Sequence, residues 1–270
     1  MKDKLPKEKA NVTKMVKGVW RDQVWKKNED GSEQLISENA STNVITQPTT
    51  YLLAGLMSND PSFVGGVVYH AIGQGAESWD TSGIPSPTKF DTALLDEIDR
   101  QVPDGIAYIR YGEGHAQNGT TLTILDPDRI DDSGLNGRFE PDGFFDGIQV
   151  EITEGTNSGE IRNVTNYEQD TGLITVDVAF PAAIDNTSYY RFITDVSTTP
   201  TNAIEVRTTW DYGHPDDAVN YKYIREQGLY GGTVDDTVDS GLLIDRITHE
   251  RIWKDPTIKL IRFIQLIFRI

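Results

Sequence analysis

The chain has 270 residues, a net charge of −17 and no cysteine. This length suits one large domain or two modest ones, and the absence of cysteine excludes a disulfide-stapled module, a thiol nucleophile and cysteine-ligated zinc or iron–sulfur sites. Because a reader of duplex nucleic acid needs lysine and arginine to neutralise phosphates, the acidic balance also argues against nucleic acid as a partner.

The charge is unevenly distributed along the chain. Residues 1–27 carry a net charge of +6 and residues 246–270 a net charge of +4, which leaves −27 on residues 28–245. Residues 1–15 therefore form a basic N-terminal arm beside an acidic body. Such an arm suits docking on an acidic protein surface, and a plain solvated tail is the alternative.

A membrane span and a signal peptide are both unexpected. The most apolar stretch, 258–270, is shorter than the ~18 residues that a span requires and contains Lys259, Arg262 and Arg269. The lysines near the N-terminus are not followed by an apolar run, so they do not indicate a signal peptide.

The first part of the chain predicts strands and two short helices. Residues 16–25 are β-prone, and Asp30-Gly31 marks a hairpin turn before a return strand that contains Leu35 and Ile36. Further strands are expected at 67–73 and 106–111. The two short helices are predicted at 48–58 and 88–100 from capping signals and helical spacing.

Residues 119–195 read as a separate small β unit, hereafter the insert. Its short strands and Gly-rich turns are typical of a small barrel or a curled sheet. The strands are predicted at 120–125, 147–153, 159–167, 172–178 and 188–194.

The remaining strands are predicted at 202–210, 221–230, 242–244 and 258–270. The last one is apolar on both faces, with Ile258, Leu260 and Ile264 on one side and Ile261 and Phe263 on the other. A central strand of a packed sheet has this pattern, and a strand covered by another subunit is the alternative.

Motifs for metal binding and catalysis are weak. Four histidines lie far apart without metal-ligand spacing; His70 is interpreted as a core residue, and His214 and His249 as surface residues. The acidic loops 126–134 and 234–241 are either solvated or weak calcium candidates. No Gly-x-Ser-x-Gly elbow occurs, and with 42 Asp/Glu no carboxylate pair is distinctive. No cofactor, catalytic residue or metal ligand is therefore predicted.

The order of the segments resembles a family of tailed-bacteriophage virion proteins from tail and baseplate gene clusters. The likeness rests on Tyr51–Met57, Val68–Gly75, Asp91–Arg100, Thr201–Arg207 and Ile224–Gly232, followed by Ser240–Ile244 and the closing strand. The insert is similar to a small β-module that recurs in phage structural proteins, through Gly147–Val164, Leu173–Val176 and Tyr189–Phe192. The resemblance supplies no catalytic residues.

These observations give an expectation for the whole chain. The fold is mainly β: an antiparallel β-sandwich-like body at 16–118 and 196–270, with two short helices and an inserted small β-barrel-like module at 119–195. The resemblance implies a non-enzymatic structural protein of the phage tail, baseplate or fibre attachment, made in the host cytoplasm. Its partners would be other virion proteins and further copies of itself.

Two other functions are alternatives to this one. A receptor- or carbohydrate-binding module is supported by the aromatic loops 77–80 and 210–214, and a tail-associated glycosidase rests on carboxylate abundance alone. Basic and aromatic side chains are the candidate assembly contacts: Lys4, Lys7, Lys9, Trp20, Trp25, Trp253, Phe263 and Phe268.

Overall fold

The computed structural model describes residues 16–49, 53, 56, 65–126, 140–214 and 222–268. The basic arm, 1–15, with Lys4, Lys7 and Lys9, lies outside the described residues. In the described part no helix is long and apolar enough to cross a membrane.

The described chain is dominated by antiparallel strands, as the sequence predicted. In the first half the strands are β1 (Val16–Lys27), β2 (Glu33–Ile45), β3 (Val67–Gly73), β4 (Glu97–Gln101), β5 (Gly105–Arg110), β6 (Glu113–His115), β7 (Asn118–Gly119) and β8 (Thr123–Leu125). In the second half they are β9 (Gln149–Glu154), β10 (Ile161–Glu168), β11 (Leu173–Val176), β12 (Tyr189–Phe192), β13 (Asp195–Ser197), β14 (Ala203–Trp210), β15 (Lys222–Gly231), β16 (Leu242–Lys254) and β17 (Ile258–Phe268). α1 (Trp79–Ser82), a helix of four residues, lies between β3 and β4.

The chain divides into two compact units. The first comprises Met1–Ile106 and Glu205–Leu266, and the second comprises Ala107–Ile204 and Ile267–Ile270. The insert predicted at 119–195 lies wholly within the second unit. Its exact boundaries stay a prediction.

The first unit contains a long twisted sheet with the strand order β14-β17-β1-β2-β16-β15-β3-β4. The hairpin between β1 and β2 is confirmed, and Gly31 adopts the positive φ of 83° that its turn requires. β17 lies between β14 and β1, so the prediction of a central strand is confirmed. Ile258 and Leu260 on one face of β17 and Ile261 on the other are buried, which agrees with the apolar pattern of the strand.

The two halves of the sheet pack against each other, in agreement with the expected β-sandwich-like body. Strands from both halves contribute to one buried apolar cluster: Val24, Ile72, Trp210, Ile224, Ile258 and Leu260. A hydrogen bond of 2.9 Å from Trp210 Nε1 to Asp99 Oδ2 joins the first and last strands in this order across the core.

The second unit contains a seven-stranded sheet with the order β6-β12-β9-β10-β11-β8-β7. Its end strands, β6 and β7, are separated in the chain by only Ala116 and Gln117. Phe145 and Phe192 stack in its core with ring centroids 3.7 Å apart. The five strands predicted in the insert all occur, with ends shifted by a few residues.

The helix predicted at 88–100 is wrong. Residues 97–101 form β4, which pairs with β3. The backbone amides of Leu95 and Asp96 donate to Glu226 Oε1 at 2.9 and 3.0 Å instead of entering a helical turn. A buried carboxylate from a distant strand therefore replaces the partners that a helix would supply.

The other helical residues belong to the helix predicted at 48–58 and to the unpredicted helix α1. Pro48, Thr49, Leu53 and Leu56 are helical, and the other residues of the helix predicted at 48–58 lie outside the described residues. α1 was not predicted; it falls in the segment interpreted as a surface loop, and its Trp79 is buried.

Candidate functional site

A groove opens in the first unit where β2 and β16 diverge. The two strands pair at Ile45–Asp245 and Val44–Arg246, and beyond this junction β2 reaches back to Glu33 while β16 continues to Lys254. A cavity of about 510 Å³ lies between the separated parts. We call it the β2–β16 groove; its volume is within the range of small-ligand sites.

Both walls of the groove are irregular strands. On β2, Ser37 pairs with Val24 but Leu35 pairs with Trp25, so Ile36 is an extra residue. On β16, the pairing with β15 jumps from Ile252 to Thr248, so 249–251 bulge opposite Arg225. Such bulges re-aim side chains and are frequent beside functional sites.

The lining of the groove mixes apolar and polar side chains. Its members are Trp20, Val24, Ile36, Ser37, Asn39, His249, Glu250, Arg251, Ile252, Trp253 and Ile258. Trp20 and His249 also line a neighbouring cavity of about 380 Å³, which the Pro-rich segment 84–87 borders. Thr248 Oγ1 donates to the Pro85 carbonyl at 2.6 Å, which fixes that segment against β16.

Asp22, His249 and Arg262 form a buried charged cluster beside Trp20. Arg262 Nε is 3.0 Å from Asp22 Oδ1, and Arg262 Nη2 is 3.0 Å from His249 Nε2. Since the guanidinium is always a donor, Nε2 accepts, and His249 Nδ1 donates to the Glu250 carbonyl at 2.7 Å. The bulge at 249–251 thus turns His249 into the core.

Burial controls the protonation of this cluster. It raises the pKa of Asp22 to about 6, although the positive charge of Arg262 opposes the rise. It lowers the pKa of His249 to about 3, and Arg262 adds to that effect. At neutral pH the cluster therefore holds one carboxylate, one guanidinium and a neutral imidazole.

His70 extends the polar core into the facing half of the sheet. Its Nδ1 lies 3.0 Å from Thr208 Oγ1, and its Nε2 lies 2.9 Å from Gln227 Oε1. Burial lowers its pKa to about 3. The interpretation of His70 as a core histidine is confirmed, whereas that of His249 as a surface residue is wrong, because its side chain faces Arg262.

Several buried donors in this region have no acceptor among the described residues. They are Trp20 Nε1, Arg262 Nη1 and Gln227 Nε2. Trp20 is only 4% exposed and lines both cavities. A buried N–H without an acceptor is costly.

The geometry suits binding better than proton transfer. Both ring nitrogens of His249 are engaged, and the low pKa of its imidazole leaves it a poor general base at neutral pH. Among the described residues no group of three or more His, Asp and Glu is arranged to hold a metal ion.

The side chain of Arg100, from β4, hydrogen-bonds to the acidic loop at 234–241. Arg100 Nη1 donates to the carbonyls of Asp235 and Ser240 at 3.0 and 3.2 Å. The guanidinium therefore binds two carbonyl oxygens of this loop. Of the other loop, 126–134, only Asp126 is described; it is buried and accepts a hydrogen bond from the Tyr190 hydroxyl at 2.8 Å.

The predicted assembly contacts that the structure describes lie in different places. Trp20 is buried at the groove, Trp253 is 39% exposed at the same groove, and Trp25 and Phe263 are partly buried on the outer face of β1 and β17. In the second unit, Phe268 is partly buried and its amide donates to the Asn202 carbonyl at 2.8 Å.

Sequence reasoning missed Asp22, His249 and Arg262 as one cluster. A signal for Arg262 existed, because period-two alternation places it on the same face of β17 as Leu260 and Ile264. Alternation does not identify the partners of Arg262, because Asp22 lies on β1 and His249 lies in a bulge of β16.

No protein-family model matches the chain. No curated protein matches it either.

Proposed function

We propose that the chain is a non-enzymatic structural component of a bacteriophage virion, in the tail, the baseplate or the fibre attachment, and that it acts through oligomeric assembly. The order of its sequence segments supports the phage assignment. A mainly β architecture of two compact units is compatible with it. The observation that carries the assembly role is the outer face of the first unit's sheet.

This face, hereafter the assembly face, consists of Arg21, Trp25, Arg207 and Phe263. The guanidinium carbons of Arg21 and Arg207 lie 4.3 and 5.8 Å from the Phe263 ring centroid. Lys259 Nζ lies 5.7 Å from the Trp25 ring in the same way. Aromatic and arginine side chains are enriched in protein interfaces, where they dominate binding energy.

The charges of the assembly face are already balanced within the subunit. Arg21 lies 3.6 Å from Glu38, and Arg207 lies 4.0 Å from Asp104. A neighbour can therefore cover the face without burying an isolated charge, which would be costly. The ordered cation–aromatic stack also lowers the entropy lost when the side chains become fixed.

Mass spectrometry of purified virions tests the phage assignment. The chain should be present in particles, and its consistent absence would sink the proposal. Arg207→Glu tests the face: it should reduce oligomer formation and incorporation. Arg191→Glu is the matched control, because Arg191 is also an exposed arginine paired with a carboxylate, Glu151, but lies in the second unit.

The alternative, a receptor- or carbohydrate-binding module, loses its original support. The loops 77–80 and 210–214 do not present their tryptophans, because Trp79 and Trp210 are 8% and 0% exposed. A different observation favours sugar binding, namely the composition of the β2–β16 groove.

A further inference from the structure

We propose that the β2–β16 groove is a binding site for an uncharged oligosaccharide. This site goes beyond the assembly role and does not depend on it. Three features of the groove carry the proposal: a fixed and exposed tryptophan at its rim, a net charge of zero in its lining, and polar side chains on its β2 wall.

Trp253 supplies the flat surface. It is 39% exposed, and its Nε1 donates to Asp255 Oδ2 at 3.0 Å. Tyr223 packs against it with ring centroids 4.9 Å apart and planes inclined by 73°. The indole is therefore held in one orientation before any ligand arrives. The C–H face of a pyranose ring can pack on such a surface while its hydroxyls stay hydrated or hydrogen-bonded.

The charge of the lining matches a neutral ligand. Glu250 and Arg251 are its formally charged residues, and their charges sum to zero. His249 is neutral because burial and the charge of Arg262 disfavour its protonation. An ionic ligand would therefore meet no net charge of opposite sign in the lining.

Polar side chains lie on the β2 wall of the groove. Ser37 and Asn39 line this wall, where Asn39 Nδ2 lies 3.1 Å from Ser37 Oγ. Sugar hydroxyls both donate and accept, so one ligand can hydrogen-bond to the amide and the hydroxyl of this wall.

The bulges argue against an added β-strand as the occupant. A strand would need regular edges, whereas β2 carries the extra residue Ile36 and β16 bulges at 249–251. Bulges disrupt the ladder and are one way in which proteins protect strand edges. A discrete ligand that uses side chains is compatible with both irregularities.

An oligosaccharide array tests the proposal with the full-length protein as it assembles in solution. The array should carry neutral oligosaccharides, acidic oligosaccharides and bacterial surface-polysaccharide repeats. Wild type should bind neutral sugars, and the best one is then titrated by tryptophan fluorescence. Trp253→Ala should weaken binding about tenfold or more, because it removes the stacking surface.

A further variant separates binding from folding. Tyr189→Ala is the matched control for Trp253→Ala: Tyr189 is 45% exposed but lies in the second unit, so binding should be unchanged. Circular dichroism and the oligomeric state verify that every variant is folded.

Three results would overturn the proposal. They are the absence of any neutral sugar ligand, binding of acidic sugars alone, and neutral-sugar binding that Trp253→Ala leaves intact. A phage-displayed decapeptide library serves as the counter-probe, and Trp253-dependent peptide capture without sugar binding would assign the groove to polypeptide instead. Since none of these measurements uses virions, their outcome is independent of the phage assignment.

Discussion

Arg262 Nε lies 3.0 Å from Asp22 Oδ1, and both side chains are fully buried. The contact is an ion pair without a well-aligned hydrogen bond. Two charges are thus withdrawn from water in the middle of a β-sandwich-like core. Such a pair contributes little net stability compared with apolar residues, but removing one partner leaves the other charge uncompensated.

Asp22→Ala should therefore lower the free energy of unfolding by about 3–5 kcal/mol, measured by urea denaturation. The double variant Asp22→Leu with Arg262→Met should recover most of this loss, because no charge remains buried. Glu160→Ala is the control, since it breaks the partly exposed pair with Arg162 and should cost less than about 1 kcal/mol. Equal losses in Asp22→Ala and Glu160→Ala would contradict this account.

Asp245 gives the protein a pH dependence of stability. Burial raises the pKa of its carboxyl to about 7 from an ordinary value of 3.8, although the Leu229 amide donates to it. A folded-state pKa above the unfolded value means that this contribution to stability is complete below pH 3.8 and is lost as the pH rises to about 7.

Asp245→Asn should remove this loss. Relative to wild type, the variant should gain stability progressively between pH 4 and pH 7, as shown by thermal unfolding at each pH. The neighbouring Asn43 Oδ1, which has no hydrogen-bond partner in the part of the chain that the structure describes, can accept from the new amide after a side-chain flip. A stability difference that does not change with pH would show that Asp245 does not titrate in this range.

The boundary of the insert can be tested by deletion. Joining Gly119 to Val196 through a short Gly/Ser linker should leave the rest of the chain soluble if residues 119–195 fold by themselves. A second deletion, joining Ile106 to Glu205, follows the compact units instead. Solubility and circular dichroism compare the two, and insolubility of the first deletion alone would move the boundary outward.

The basic arm is expected to matter for assembly rather than for folding. Removing residues 1–14 should leave thermal unfolding unchanged but weaken assembly, because the arm is basic and residues 28–245 carry a net charge of −27. High salt should mimic the deletion, since it screens exposed charge pairs. If the truncated chain assembles normally at every salt concentration, the arm is only a solvated tail.

Strands were the most predictable part of the fold. Alternation and turn chemistry act locally, so Asp30-Gly31 and the apolar pattern of β17 located their elements within a few residues. The segment at 88–100 failed because its backbone partners are distant. Leu94 N donates to the Tyr230 hydroxyl at 3.1 Å, and Arg246 connects Asp91 to Glu226.

The candidate site was less predictable than the fold for a related reason. The groove exists because β2 and β16, far apart in the chain, pair briefly at Ile45–Asp245 and then separate. Neither bulge has a Gly or Pro signal: Ile36 and His249 occupy ordinary strand sequence. Local patterning indicates which residues are apolar, but it does not indicate which strand edges will diverge.

The position of β17 also determines the order in which the first unit can form. β17 lies between β14 and β1, and the Lys27 amide donates to the Thr257 carbonyl at 3.0 Å across more than two hundred positions of sequence. The β1–β2 hairpin can form early from local contacts, but one of its edges must wait for β17. Such non-local pairing makes folding slow and leaves that edge open to neighbouring chains while it waits.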